Sequence, residues 1–319
     1  EGAVFRDMEV VGVSKLKELI EILQHPEQAG KTVVDVDALF SEQAAESEGQ
    51  EDFAQIYGQT EVKRAAEIAA AGMHNFLMIG PPGSGKTMIA RRIPGILPRL
   101  SLEESLEITK IYSIAGLLPE RGSLLLKRPF RSPHHTTTAE ALAGGGRIPG
   151  PGEVSLSSKG ILFLDELPEF RRTALEILRQ PLEEKRICIS RTAGTYTFPA
   201  DFMLVAAMNP CACGYYPDRN RCCCAQRDVI RYLGKLSQPL LDRIDICANV
   251  SPVGFDALQQ TGKEESTAEI RTRVEQAHEI QKERYLGLKA RFNAQLGAGD
   301  TEKYCGLGKK EKEIGRAHV

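Results

Sequence analysis

A chain of 319 residues is long enough for one large domain or two modest ones, and it can bury a core without a disulfide framework. Its 41 Lys and Arg stand against 43 Asp and Glu, which excludes a globally basic nucleic-acid binder and leaves any charged partner to a local patch. No apolar run of about eighteen residues occurs and the first residues lack a signal-peptide layout, so a soluble, cytoplasmic protein with no membrane partner is expected.

Glu1 is not an initiator methionine, and Glu313 to Val319 reads like translated sequencing-adapter text. Both ends are therefore expected to be cut, with residues 313–319 set aside as a non-native tail. Near the start, Ser14 to Leu23 has helical spacing, with Leu16, Leu19, Ile20 and Leu23 on one face. Residues 41–52 are small and acidic, the composition of an exposed linker, and a new domain is expected from Phe53.

Beyond the linker, Glu61 to Ala71 suits a helix, and Asn75 to Ile79 is a short apolar strand that runs into the glycine-rich segment Gly80 to Thr87. Ser101 with Glu104 has the spacing of a capping box, which predicts a helix over Leu102 to Ile111. The apolar runs Ile161 to Leu164 and Met203 to Met208 read as buried parallel strands, with helix over Arg171 to Leu178 between them. The expected fold is α/β, a parallel sheet wound with helices. Ser132 to Ser158 is rich in Gly, Pro, Ser and Thr and too long for a plain connection, so it is read as an insertion that moves or touches a partner. Arg186 and Arg191 flank another strand, Thr192 to Thr197 reads as a hairpin turn, and Thr267 to Tyr285 as a charged amphipathic helix after the sheet ends near Val250.

The segment Gly80, Pro81, Pro82, Gly83, Ser84, Gly85, Lys86, Thr87 carries glycines where backbone N–H groups turn in around phosphates, a lysine as point charge and a hydroxyl for magnesium. The helix after it presents the positive end of its dipole to the same phosphates. The strand Ile161 to Leu164 ends in Asp165 and Glu166; beside such a loop, Asp165 suits magnesium and Glu166 suits a general base polarising water. Asn209, at the end of the strand Met203 to Met208, is placed to orient that water or to sense the γ-phosphate.

Five of the eight cysteines fall between Cys211 and Cys224. Cys211 with Cys213 and Cys222 with Cys224 form two Cys-x-Cys pairs that suit one tetrahedral zinc; a redox-active loop and simple packing stay open on spacing alone. Cys188 and Cys247 fall in apolar strands and are expected in the core. His134 and His135 have no nearby acid in sequence and are read as loop contacts rather than ligands. Lys127, Arg128 and Arg131 with Phe130 form a basic run that suits either phosphate-backbone contact or a solvated face.

Together Gly58 and Gln59, Gly80 to Thr87, Arg131 to Thr136, Gly160 to Phe170, Asn209 to Cys211, the later cysteines and Leu240 to Asp245 resemble one family, the magnesium-chelatase-like AAA+ ATPases of the ComM and YifB type. The match spans Phe53 to Val250. The resemblance implies a P-loop ATPase core over residues 53–252 with ATP and Mg2+, a remnant of a Lon-protease-like domain over 1–40 and a partial helical lid over 253–312. It further implies a homohexameric ring with ATP between subunits, Arg243 reaching the neighbour's γ-phosphate, and Gly58 and Gln59 near the adenine. The insertion and the hairpin would face the ring's centre. Its ComM branch implies ATP-driven branch migration on branched or single-stranded DNA; the alternative within the same fold is a chelatase-type motor remodelling a protein partner for metal insertion.

Overall fold

In the computed structural model of the chain the described residues are 10–26, 30, 35, 38, 51–118, 124–146, 149–191, 194–253, 264–288, 290–306 and 308. Residues 41–50 of the expected linker, the tail over 313–319, the hairpin tip at Thr192 and the stretch 254–263 lie outside them. The chain divides into two compact units, residues 1–50 with 100–127, and residues 51–99 with 128–319.

In the first unit the N–H and hydroxyl of Ser14 both donate to Glu18, at 2.9 and 3.0 Å, and start the helix Leu16–Gln24. Its expected apolar face is not buried: Leu16 is 74% and Leu23 71% exposed. The predicted capping box is present, with the Glu104 N–H donating to Ser101 Oγ at 3.2 Å and the Ser101 N–H to the Glu104 carboxylate at 3.0 Å. The helix it starts runs Leu102–Ile114 and buries Ile108 and Ile111.

The second unit is built on a five-stranded parallel sheet of order β2-β5-β8-β1-β9, with β1 Phe76–Ile79, β2 Phe130–Arg131, β5 Ile161–Leu164, β8 Met203–Met208 and β9 Ile246–Asn249. Successive strand residues point to opposite faces, and in the central strands β5, β8 and β1 both faces are dry. Phe76, Met78, Ile161, Phe163, Met203, Val205 and Ala207 pack with the helices Thr60–Gly72, Lys86–Ile96 and Thr267–Arg284. Leu77, Leu162, Leu164, Leu204, Ala206 and Met208 pack on the other side with the helices Arg172–Ile177 and Arg179–Glu184. That two-sided burial is why these strands read as unbroken apolar runs.

Between β2 and β5 the insertion folds into short pieces: the helix Ala139–Ala143, a two-stranded ribbon of β3 Gly144–Gly145 and β4 Gly150–Pro151, and the helix Glu153–Leu156. Leu142 and Val154 anchor it in the core at 0% exposure. A second ribbon pairs β6 Arg186–Arg191 with β7 Gly194–Pro199, antiparallel. The expectation that Cys188 and Cys247 are core residues is wrong, since both are exposed. Alternation on β6 turns Ile187 and Ile189 inward and Cys188 out, while β9 is a sheet edge where Ile246 and Ala248 pack and Cys247 does not.

The Thr267–Arg284 helix starts at a capping box between Ser266 and Glu269 and buries Ile270 and Val274. Arg273 clamps it to Glu67 of the Thr60–Gly72 helix at 2.7 Å, and Arg271 donates to the carbonyl of Gly95. Arg273 first, with Arg64 helping against the opposing desolvation, holds the Glu67 carboxyl below its ordinary range.

Candidate nucleotide and metal sites

Three strand ends meet on the carboxyl edge of the sheet. β1 feeds the glycine loop, β5 ends at Asp165 and Glu166, and β8 ends at Asn209. They enclose a cleft of about 440 Å³ lined by Pro82 to Met88, Asp165, Glu166, Met208 and Asn209. Gly85 turns the loop into the helix at φ +90°, where an L side chain would be strained. The Gly80 N–H donates to the Met208 carbonyl at 3.2 Å, so the loop's first residue is tied to β8.

Lys86 Nζ donates to the carbonyls of Gly80 and Pro81, at 2.8 and 2.9 Å, and to Asn209 Oδ1 at 3.2 Å. Burial pushes its pKa down, with the charges of Asp165 and Glu166 opposing. The Thr87 hydroxyl donates to Asp165 Oδ2 at 2.7 Å, which brings the hydroxyl and carboxylate suited to magnesium to one point. Ser84 Oγ is buried without a partner among the described residues. An unpaired hydroxyl inside a loop rich in N–H groups, a buried cation and a hydroxyl–carboxylate pair fit a magnesium–nucleoside triphosphate.

Glu166 takes φ +53°, a sparsely populated conformation for a non-glycine residue, and its N–H donates to Asp165 Oδ1 at 2.9 Å. Its carboxylate lies 3.2 Å from His135 Nδ1, and His135 lies against His134 with ring centroids 4.0 Å apart and planes tilted by 36°. Sequence reasoning missed this contact, because the acid that faces the histidine pair arrives from a different strand.

The other predicted residues are placed differently. Gln59 Nε2 donates to the carbonyls of Ser84 and Ser251, which ties it to the glycine loop, and the Gly58 N–H donates to Glu264 at 2.8 Å; neither residue lines the cleft. Arg243 pairs with Glu183 of its own chain and does not line the cleft. The basic run is largely consumed internally. Arg128 donates to the carbonyls of Pro98 and Lys159, both at 2.6 Å; Arg131 forms a two-pronged pair with Glu153; and Phe130 stacks on Phe163.

Cys211, Cys213, Cys222 and Cys224 come together with all four sulfurs within 4.8 Å of one another. The Tyr215 backbone N–H first, and the Cys211 thiol next, pull Cys213 down to about 6. Cys224 goes up to about 12: the Cys213 backbone N–H opposes this, but the Cys213 thiol, burial and the Cys211 charge outweigh it.

The profile described as magnesium chelatase, subunit ChlI, matches residues 52–258, and that of the ChlI C-terminal region matches residues 264–319. The chain belongs to the magnesium-chelatase family. Within this AAA+ family it is 48% identical to an uncharacterized YifB protein of Salmonella typhimurium over 80% of the chain and 50% of that protein. It is 44% identical to the competence protein ComM of Haemophilus influenzae over 82% and 50%, respectively. The 67 kDa magnesium-chelatase subunit of Chlorobaculum parvum is more distant, at 25% over 63% of the chain and 27% of that subunit. The chain thus spans about half the length of the YifB and ComM relatives it matches. The parallel sheet with helices on both faces and the phosphate loop on its carboxyl edge is the magnesium-chelatase ATPase core, for which ATP and Mg2+ are the family's cofactors. Among the described residues, no helix is long and apolar enough to cross a membrane.

Proposed function

We propose that the chain is the motor of a cytoplasmic AAA+ ATPase that works as a homohexameric ring and drives translocation or branch migration on branched or single-stranded DNA. One observation carries the ATPase part: Lys86, Thr87 with Asp165, Glu166 and Asn209 converge on a single cleft at the carboxyl ends of β1, β5 and β8. Lys86 and the loop N–H groups bind the phosphates, and Thr87 with Asp165 hold magnesium, which neutralises charge on them. Glu166 accepts the proton of the attacking water while Asn209 orients it. Arg243 acts from the neighbouring subunit, and Gly58 and Gln59 support the base-binding end. The thiol tetrad is read as a zinc site.

DNA as substrate is supported by the kinship with a protein named for competence. The basic run no longer supports it, because Arg128 and Arg131 are engaged within the fold. That loss favours the second reading, a chelatase-type motor remodelling a protein partner for metal insertion, in line with the kinship to a magnesium-chelatase subunit. ATP turnover of the full-length protein with and without forked DNA decides between them. Stimulation supports the DNA motor, and its absence removes it. In the same assay Lys86→Ala weakens nucleotide binding and Glu166→Gln traps ATP; unchanged turnover in both overturns the site.

A further inference from the structure

From Asn209 to Ala225 the backbone forms neither helix nor strand, yet it sits against the most exacting part of the site. Irregular connections of such length are uncommon inside a compact domain and need something to hold them. The small apolar cluster there contains only Cys211, Cys222 and Val229, with Cys213, Tyr215, Tyr216 and Cys224 at its margin. A cluster of that size supplies little hydrophobic stabilisation.

Three of the sulfurs are spaced as one metal would space them, and that of Cys224 lies within 4.8 Å of each. Sγ separations are 3.4 Å for Cys211–Cys213, 3.6 Å for Cys213–Cys222 and 3.8 Å for Cys211–Cys222. Four sulfurs at about 2.3 Å from one tetrahedral zinc lie about 3.8 Å apart, whereas a disulfide closes to about 2.05 Å. The Tyr216 N–H also donates to Cys211 Sγ at 3.4 Å, as outer-sphere donors do to zinc-bound thiolates.

The knot touches the catalytic elements from two directions. Cys211 is two residues beyond Asn209, and Gly214, fixed by its N–H to the Cys211 carbonyl at 3.0 Å, packs so closely on the phosphate loop that a Cβ there would lie 2.5 Å from Pro82 Cδ. On the far side, Cys224 leads through Ala225 into the helix Gln226–Leu233, whose Val229 packs with Cys211 and Cys222 and whose Tyr232 is buried in the core cluster that holds Met208 of β8. We infer that Cys211, Cys213, Cys222 and Cys224 bind one structural zinc ion whose role is to hold Asn209 and Pro82 in register, so that these thiols are positioning residues for ATP hydrolysis. This rests on the ATPase reading, and its test separates the two.

Zinc content of the purified full-length protein is measured first, with about one zinc per chain expected and none in Cys222→Ser with Cys224→Ser. Absence of zinc from the wild type overturns the site, even if ATP turnover is normal. The metal is then stripped by chelation, with circular dichroism and binding of a fluorescent ATP analogue as controls for fold. Turnover is expected to fall roughly 10- to 100-fold, the range for a misplaced catalytic group, with analogue affinity within a few fold, and to return on adding zinc. In an Asn209→Ala background the same stripping is expected to cost clearly less, because only its hold on Pro82 is left to lose. Full turnover after stripping, or an undiminished further loss in Asn209→Ala, overturns the positioning role. Failure of the ATPase reading looks different: the zinc-loaded wild type would turn over ATP no faster than Lys86→Ala.

Discussion

Replacing Gly214 with alanine tests whether the cysteine knot and the phosphate loop are one mechanical unit. At φ +89° an L residue costs about 1–2 kcal/mol. The new methyl would lie 2.5 Å from Cδ and 2.8 Å from Cγ of Pro82, inside the contact distance of about 3.5–4.0 Å. The proline ring cannot swing away as a long side chain would, so an overpacking cost of about 1–3 kcal/mol adds to the backbone term. The sum, about 2–5 kcal/mol, corresponds to a fall in Tm of at least about 4 °C for a domain of this size. Thermal unfolding of Gly214→Ala is compared with Gly299→Ala, where a Cβ meets nothing within 4 Å and Tm should hold or rise slightly. Nucleotide affinity of Gly214→Ala should fall as well, since Pro82 lines the cleft. A Gly214→Ala protein with unchanged Tm and unchanged nucleotide Kd would refute the packing of knot on loop.

His135→Ala removes the 3.2 Å contact to Glu166 and should lower kcat about fivefold, from a hydrogen bond of about 1 kcal/mol, with nucleotide Kd little changed; steady-state turnover and analogue binding check this. Arg131→Ala breaks the two-pronged pair with Glu153, so Tm should drop by a few degrees while DNA affinity stays as in the wild type. A loss of DNA affinity at normal Tm would instead restore the basic run as a DNA contact. Because Arg273 holds the Glu67 carboxyl below its ordinary value, the stability it contributes is present above about pH 4.5 and lost as pH falls through the depressed folded pKa. The Tm gap between wild type and Arg273→Met should therefore be widest near neutral pH and close in acid; a gap independent of pH would show that the clamp acts through packing alone.

Strands buried on both faces were legible because nothing polar interrupts them: Ile161 to Leu164 and Met203 to Met208 stand at the predicted bounds. The one-sided ribbon β6–β7 and the edge strand β9 misled at Cys188 and Cys247, because burial there depends on a neighbour that the sequence does not name. Arg128 and Arg131 looked free for the same reason, their acceptors being the carbonyls of Pro98 and Lys159 and the carboxylate of Glu153. The His135–Glu166 contact had a usable signal only once pairing was known. β2 and β5 run parallel with Phe130 opposite Ile161 and Arg131 opposite Leu162, so the chain leaves both strands on the same edge of the sheet, where His135 meets Glu166.

That register reasoning extends to the whole site. Parallel strands deliver every connection that follows them to one edge, so the segments after β1, β2, β5 and β8 meet without any long-range instruction beyond strand order. Arg243 obeys the same rule with the opposite result. It precedes β9, and its carbonyl accepts from the side chain of Asn75, the residue before β1, at 2.7 Å. The four residues of β1, at about 3.3 Å each, then separate it from its own phosphate loop by about 13 Å along the sheet. An arginine on the amino edge therefore lies a full strand length from the phosphate loop of its own chain.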